Sequence, residues 1–242
     1  MSGILIDPLI IRKMTRTLFA NTVLFFLLVL LTMIVTGQKK RLNANEIDQK
    51  FSQIWKDSEA SRKNYSWKTK TEVTRDEKVL QVLIEEVSTD PKGRQIRKMI
   101  SNQEAPLPST FLIRQIAEDQ KSKIIAYMSD LRIFLEKYAL TDDSTRHSFF
   151  SKAIISAPDA RGQLLVSGSD VFTRGDKLNW WIDTRSYTIT YATISTTFKG
   201  VSTAFSATYY LLPGLNYMAQ ATIRVPSKKM AITLKFYDFM KR

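Results

Sequence analysis

From residue 163 onward the chain reads as strand, turn and strand without interruption, and nothing else in it constrains the fold so strongly. Apolar side chains recur at every second position in Leu178, Trp180 and Ile182, and again in Phe205, Ala207, Tyr209 and Leu211. The same spacing returns in Tyr217, Ala219, Ala221, Ile223 and Val225, and in Met230, Ile232, Leu234 and Phe236. A period of two puts such residues on one face of a strand. Six strands are predicted, over 163–173, 177–184, 187–199, 202–212, 216–226 and 229–239. The links between them are short and carry turn residues: Arg174-Gly175-Asp176, Asp183-Thr184-Arg185, Lys199-Gly200, Pro213-Gly214-Leu215 and Pro226-Ser227. Links this short force antiparallel neighbours.

The first half adds three more strands. Tyr65, Trp67, Thr69, Thr71 and Val73 alternate with Ser66, Lys68, Lys70 and Glu72. Asp76-Glu77-Lys78 then turns the chain, and Leu80, Val82 and Ile84 are predicted to share the buried face of the next strand. Asp90-Pro91-Lys92-Gly93 is a second turn signature, followed by a strand near 94–102. Helical spacing appears over 43–63, where Ile47, Phe51, Ile54 and Trp55 form one stripe, and over 109–138, through Met128, Leu131, Leu135 and Tyr138. A shorter helix is predicted from Asp142 to Lys152. The fold class is therefore α+β: about nine antiparallel strands in chain order form an open, curved half-barrel, and the two longer helices cover its apolar face.

Residues 18–36 are apolar and uncharged, long enough for roughly 20 helical residues to cross a bilayer. Arg12, Lys13 and Arg16 precede them, which favours export of the chain beyond residue 36. The segment reads either as a retained single-pass anchor or as a signal peptide cleaved near Val35-Thr36-Gly37. The chain divides accordingly into a leader, 1–41, and one domain, 42–242, expected in the periplasm on the outer side of an inner membrane. The net charge is +13. Six basic residues against Asp7 give +5 to the leader, which leaves +8 for the domain. That balance suits anionic partners. Lys and Arg are dispersed along the chain rather than gathered in a run, so no nucleic-acid partner is expected.

Catalytic signatures are weak. The chain has no cysteine, which excludes disulfides, thiolate metal sites, a cysteine nucleophile and lipid attachment to an N-terminal cysteine. His147 is the single histidine and reads as a helix-surface residue, with no Gly-x-Ser-x-Gly elbow to complete a triad. Glu85 and Glu86 are adjacent on a strand and point to opposite faces, so they make no carboxylate pair. Ser167-Gly168-Ser169 lacks the spacing and lysine of a phosphate loop and reads as a strand kink. Arg224 and Lys235 fall out of phase with the apolar residues and read as exterior. No metal, no cofactor and no enzymatic activity are expected.

Over residues 43–240 the pattern resembles the bacterial lipoprotein-carrier superfamily (LolA/LolB-like). Trp180-Trp181-Ile182-Asp183 before a turn and the strand through Ile232 to Phe239 carry the likeness. Related exported sequences of that type share Tyr65-Ser66-Trp67-Lys68, Gly175-Asp176 and Leu212-Pro213-Gly214-Leu215-Asn216-Tyr217-Met218-Ala219, motifs that define the fold and not a reaction. The resemblance implies a half-barrel plugged by helices, with a lipid or a lipidated protein as partner. The residues expected to line the cavity are Tyr65, Trp67, Leu80, Val82, Ile84, Trp180, Phe205, Tyr209, Tyr217 and Phe236. The competing expectation is a membrane-anchored assembly subunit of an envelope complex, its cavity filled by its own side chains.

Overall fold

The computed structural model describes residues 43–90, 92–106 and 111–242, and the apolar segment 18–36 lies outside them. Among the described residues no helix is long and apolar enough to cross a membrane.

Helix α1 (Ala44–Arg62) opens the domain, capped by the Asn43 side chain, which accepts from the Asn45 N–H. Strands β1 (Tyr65–Arg75), β2 (Lys78–Thr89) and β3 (Gln95–Glu104) come next as antiparallel neighbours. The β1–β2 turn uses Asp76 and Glu77, both at positive φ, the geometry that two-residue hairpins need. Helix α2 (Phe111–Glu136), a 3-10 turn (Lys137–Ala139) and helix α3 (Asp143–Lys152) occupy the middle of the chain. Seven strands complete it: β4 (Ile154–Ile155), β5 (Gln163–Ser169), β6 (Lys177–Asp183), β7 (Ile189–Phe198), β8 (Val201–Leu212), β9 (Leu215–Val225) and β10 (Met230–Lys241).

The architecture is an open ten-stranded antiparallel sheet with helices, consistent with a half-barrel. Two corrections to the sequence reading concern its strands. The additional strand is β4, two residues that pair with Val166 and Ser167 of β5. The order is β3-β2-β1-β10-β9-β8-β7-β6-β5-β4 and not a meander from first strand to last. The first three strands therefore attach through β1 to the final strand, and β3 and β4 are the two edges. Helix α2 spans the resulting gap in sequence: Lys121 pairs with Glu104 of β3, while Lys199, just past β7, reaches Asp130.

Two bulges correct the assignment of faces. Val73 pairs with Gln81 but Thr74 pairs with Val79, so Leu80 has no counterpart. Val82 and Ile84 then sit opposite Glu72 and Lys70, on the face away from Thr69, Thr71 and Val73. Likewise Thr208 pairs with Gln220 but Tyr209 pairs with Met218, which leaves Ala219 over. Ala221 and Ile223 keep the phase of Ala207 and Phe205, whereas Tyr217 falls opposite Tyr210 and loses it. An extra residue shifts every later side chain to the other face.

The predicted strand 163–173 stops at Ser169 for a physical reason. Asp176 accepts hydrogen bonds from the N–H groups of Val171, Phe172 and Thr173, at 2.6, 2.9 and 2.9 Å, and folds that segment into a loop. Gly168 is less a kink than a place for a ring: a Cβ there would lie 2.4 Å from Phe149.

Candidate functional site

An apolar cavity of about 210 Å³ lies between the sheet and two helices. Its floor is supplied by alternating residues: Thr69 and Thr71 on β1, Leu234 and Phe236 on β10, Met218 and Ile223 on β9, and Phe205 and Tyr209 on β8. Ile189, Ala192 and Ile194 of β7 and Trp180 of β6 continue it. The cross-strand register places these side chains together, since Thr71 faces Leu234, Thr69 faces Phe236, Phe205 faces Ile223 and Trp180 faces Ala192. Trp55 of α1 and Leu135 of α2, with Tyr138 and Ala139 just beyond it, close the cavity from the helix side.

The walls are well packed. Trp180 packs among Phe51, Phe149 and Phe150, with ring centroids 5.2, 5.3 and 6.1 Å away. The hydroxyl of Tyr138 donates to Asp176 at 2.7 Å and lies 2.9 Å from the Thr196 hydroxyl. Burial pushes the Tyr138 pKa up to about 12. Burial would also raise the Asp176 carboxyl, but the Tyr138 hydroxyl and the loop N–H groups outweigh it and hold the carboxyl below its ordinary value. Helices α1 and α3 are clamped by Arg146. Its guanidinium donates to Asp48 at 2.9 Å, to Ser52 at 2.9 Å and to Asp143 at 2.7 Å. His147 is exposed, with Nδ1 3.0 Å from Asp48.

The charged lining groups come from β3 and α2 alone: Arg97, Arg132 and Glu136. Arg97 donates to Glu85 and to Gln95, each at 3.0 Å, and Arg132 approaches Glu136 at 3.6 Å. The Tyr209 hydroxyl makes no hydrogen bond with any described residue. Protein encloses that side chain, yet it stays accessible from the cavity, and burial pushes its pKa up to about 12. Among the described residues no group of three His, Asp or Glu side chains is placed to hold a metal ion.

Of the ten residues expected to line the cavity, Trp180, Phe205, Tyr209 and Phe236 do so. Tyr65 and Trp67 instead form a separate cluster with Val87 and Leu215 at one end of the sheet. Tyr217 packs on that cluster through Phe239, at 4.0 Å, and Trp67 stacks on Phe239 at 5.7 Å. Leu80, Val82 and Ile84 are absent from the lining, as the bulge at Leu80 requires. Sequence reasoning had the means to add Ile223 and Leu234, which lie in runs it identified, and Trp55, which lies on the α1 stripe. Met218 was hidden, because only the bulge at Ala219 brings it inward. Arg97 carried no signal, since the sequence showed β3 no buried face.

No family model matches the chain, and no curated protein matches it. Among solved structures it is similar to a DUF1329 family protein from Desulfovibrio piger, with a TM-score of 0.40 and 7% identity over 83% of this chain and 94% of that one. It is similar to a LolA superfamily protein from Nitrosomonas europaea, with a TM-score of 0.36 and 10% identity over 83% of this chain and 94% of that one. A domain from Vibrio parahaemolyticus named for outer membrane lipoprotein sorting gives 0.37 and 9% over 81% and 93%. With TM-scores below 0.5, these likenesses say nothing about ligand or partner.

Proposed function

We propose that this chain binds a lipid, or the acyl part of a lipidated protein, in the cavity between sheet and helices. The observation that carries the reading is the cavity itself: a floor that is aliphatic and aromatic apart from Thr69 and Thr71, with charged groups confined to β3 and α2. Each buried methylene contributes about 0.8 kcal/mol, so even a short acyl segment brings useful affinity. In this reading residues 1–41 hold or deliver the domain at a membrane, and 42–242 work in the periplasm, either tethered or free after cleavage. The support is the uncharged run 18–36 behind Arg12, Lys13 and Arg16. Binding, not catalysis, is the proposed activity.

The test is to purify the full chain from cells in a detergent-free polymer, extract it with organic solvent and weigh the extract by mass spectrometry. Enrichment of one lipid class, lost in Phe205→Asp but kept in the exterior variant Arg224→Asp, is expected. Extracts no different from those of an unrelated membrane protein would remove the reading.

A second reading, an assembly subunit of an envelope complex, is favoured by one observation. The edge strand β3 exposes Ile96, Met99 and Ile100 beside a row of backbone groups that no strand among the described residues pairs on that side. Free edges are templates for another chain. Cross-linking at position 100 to a defined envelope protein, with an empty cavity, is the result that reading expects.

A further inference from the structure

We propose that the Tyr209 hydroxyl is a ligand-binding donor, and that it holds the carbonyl of an ester-linked acyl chain. The inference rests on the lipid-binding reading above and narrows it to a chemical class. Three observations carry it.

The first is an unused donor. Tyr209 lines the cavity and protein encloses its side chain, yet its hydroxyl has no hydrogen-bond partner among the described residues. Two other buried tyrosines show the contrast. Tyr65 donates to the Pro213 carbonyl at 3.0 Å, and Tyr138 donates to Asp176 at 2.7 Å. A hydroxyl taken out of water and left unpaired costs free energy, and a partner that arrives with the ligand recovers it on binding.

The second is the absence of an acceptor on the adjoining floor. Met218 stands opposite Tyr209 on β9, and Phe205 and Ala207 precede it on the same face of β8. The hydroxyls of Thr69 and Thr71 belong to β1, three strands away. A bound water needs roughly two to four polar partners, and among these neighbours Tyr209 is alone.

The third is charge. The cations that line the cavity or act on Tyr209 are engaged: Arg97 with Glu85 and Gln95, Arg132 with Glu136, and Arg62 with Glu59. A carboxylate at Tyr209 would enter apolar surroundings without a cation of its own, which is costly. An ester carbonyl needs one donor and brings none. An alcohol or a secondary amide adds an O–H or N–H that this floor does not also satisfy.

The test compares the full chain with Tyr209→Phe, both in a detergent-free polymer, by quenching of tryptophan fluorescence. Trp55 and Trp180 line the cavity, and all four tryptophans lie in the domain. Three quenchers brominated at the chain end are used: methyl bromododecanoate, bromotetradecane, which has no acceptor, and free bromododecanoic acid. Partition into the polymer's lipid cancels when each quencher is compared between the two proteins. Losing the hydroxyl should weaken the ester roughly tenfold and leave the alkane unchanged. An equal effect on ester and alkane, or none on either, would overturn the inference and leave lipid binding standing. Weakening of the acid alone would overturn it in favour of a carboxylate. Quenching by none of the three in the unaltered protein would remove the lipid-binding reading as well. A second readout needs no variant: the carbonyl stretch of isotope-labelled methyl dodecanoate should fall in frequency as it moves from lipid to protein. An unshifted band at saturation would contradict the donor.

Discussion

Asp176 shows how a buried charge earns its place in this domain. The carboxylate accepts from Tyr138 and from three loop N–H groups, and its folded pKa lies below the ordinary value. A depressed carboxyl contributes stability that is present above the unfolded pKa and is lost as pH falls through the folded one. Acid unfolding of Asp176→Asn should accordingly show a shallower pH dependence below about pH 4 than the parent. At neutral pH the variant should lose about 2 kcal/mol in urea unfolding, because a hydrogen bond to a charged group is gone. Trp67 and Tyr209 should part company in the same way. Trp67→Ala removes a core ring and should cost about 3–5 kcal/mol while leaving ligand per folded molecule unchanged. Tyr209→Phe removes a hydroxyl with no partner among the described residues, so it should cost little or raise stability by up to about 1 kcal/mol. Thermal melts with lipid quantitation on each variant check both. The sequence offered these two aromatics as equals, since each sits in an alternating run. Position along the strand separates them: Trp67 shares its face with Thr69 and Thr71 but packs at the sheet end with Val87 and Leu215, whereas Tyr209 keeps step with Phe205 and Ala207 over the cavity.

At the scale of elements, the helices were legible to within two residues at either end, because their stripes and caps are local features. The bulges were not. Val82, Leu83 and Ile84 after Leu80, and Tyr217 and Met218 before Ala219, are apolar enough for either face, so hydrophobic spacing does not reveal a slipped register. Deleting Ala219 should close the bulge while leaving Met218 opposite Tyr209 and Tyr217 opposite Tyr210. Lipid loading should be kept and the far-ultraviolet spectrum should stay that of a folded sheet; loss of loading in a folded variant would count against this register. The joint between α1 and α3 was equally invisible, since Asp48 and Arg146 are distant in sequence and each resembles a surface charge. Arg146→Ala leaves Asp48 buried without its guanidinium and should cost about 3 kcal/mol, read as an earlier urea midpoint.

Across the whole molecule, every hairpin but that of β4 and β5 was readable from its short turn, and the joining of the two halves was not. Nothing in β1 or β10 names its partner. Their pairing, from Arg75 opposite Met230 to Tyr65 opposite Lys241, is chosen by matching apolar faces over a long separation. A ligand bound only by the finished sheet stabilises the whole of it. At a hundredfold excess over its Kd it should add about 2.7 kcal/mol, raising the Tm by a few degrees.

That distant pairing dictates the order in which the sheet can be made. As the polypeptide emerges, β1 to β3 form a small sheet of their own, with one flank waiting for a strand not yet synthesised. Contacts of such high sequence separation form late and slowly. Until residues 230–241 appear, Trp67 and the flank of β1 stay open to other chains, so a stalled or shortened product would be the species most in need of a chaperone.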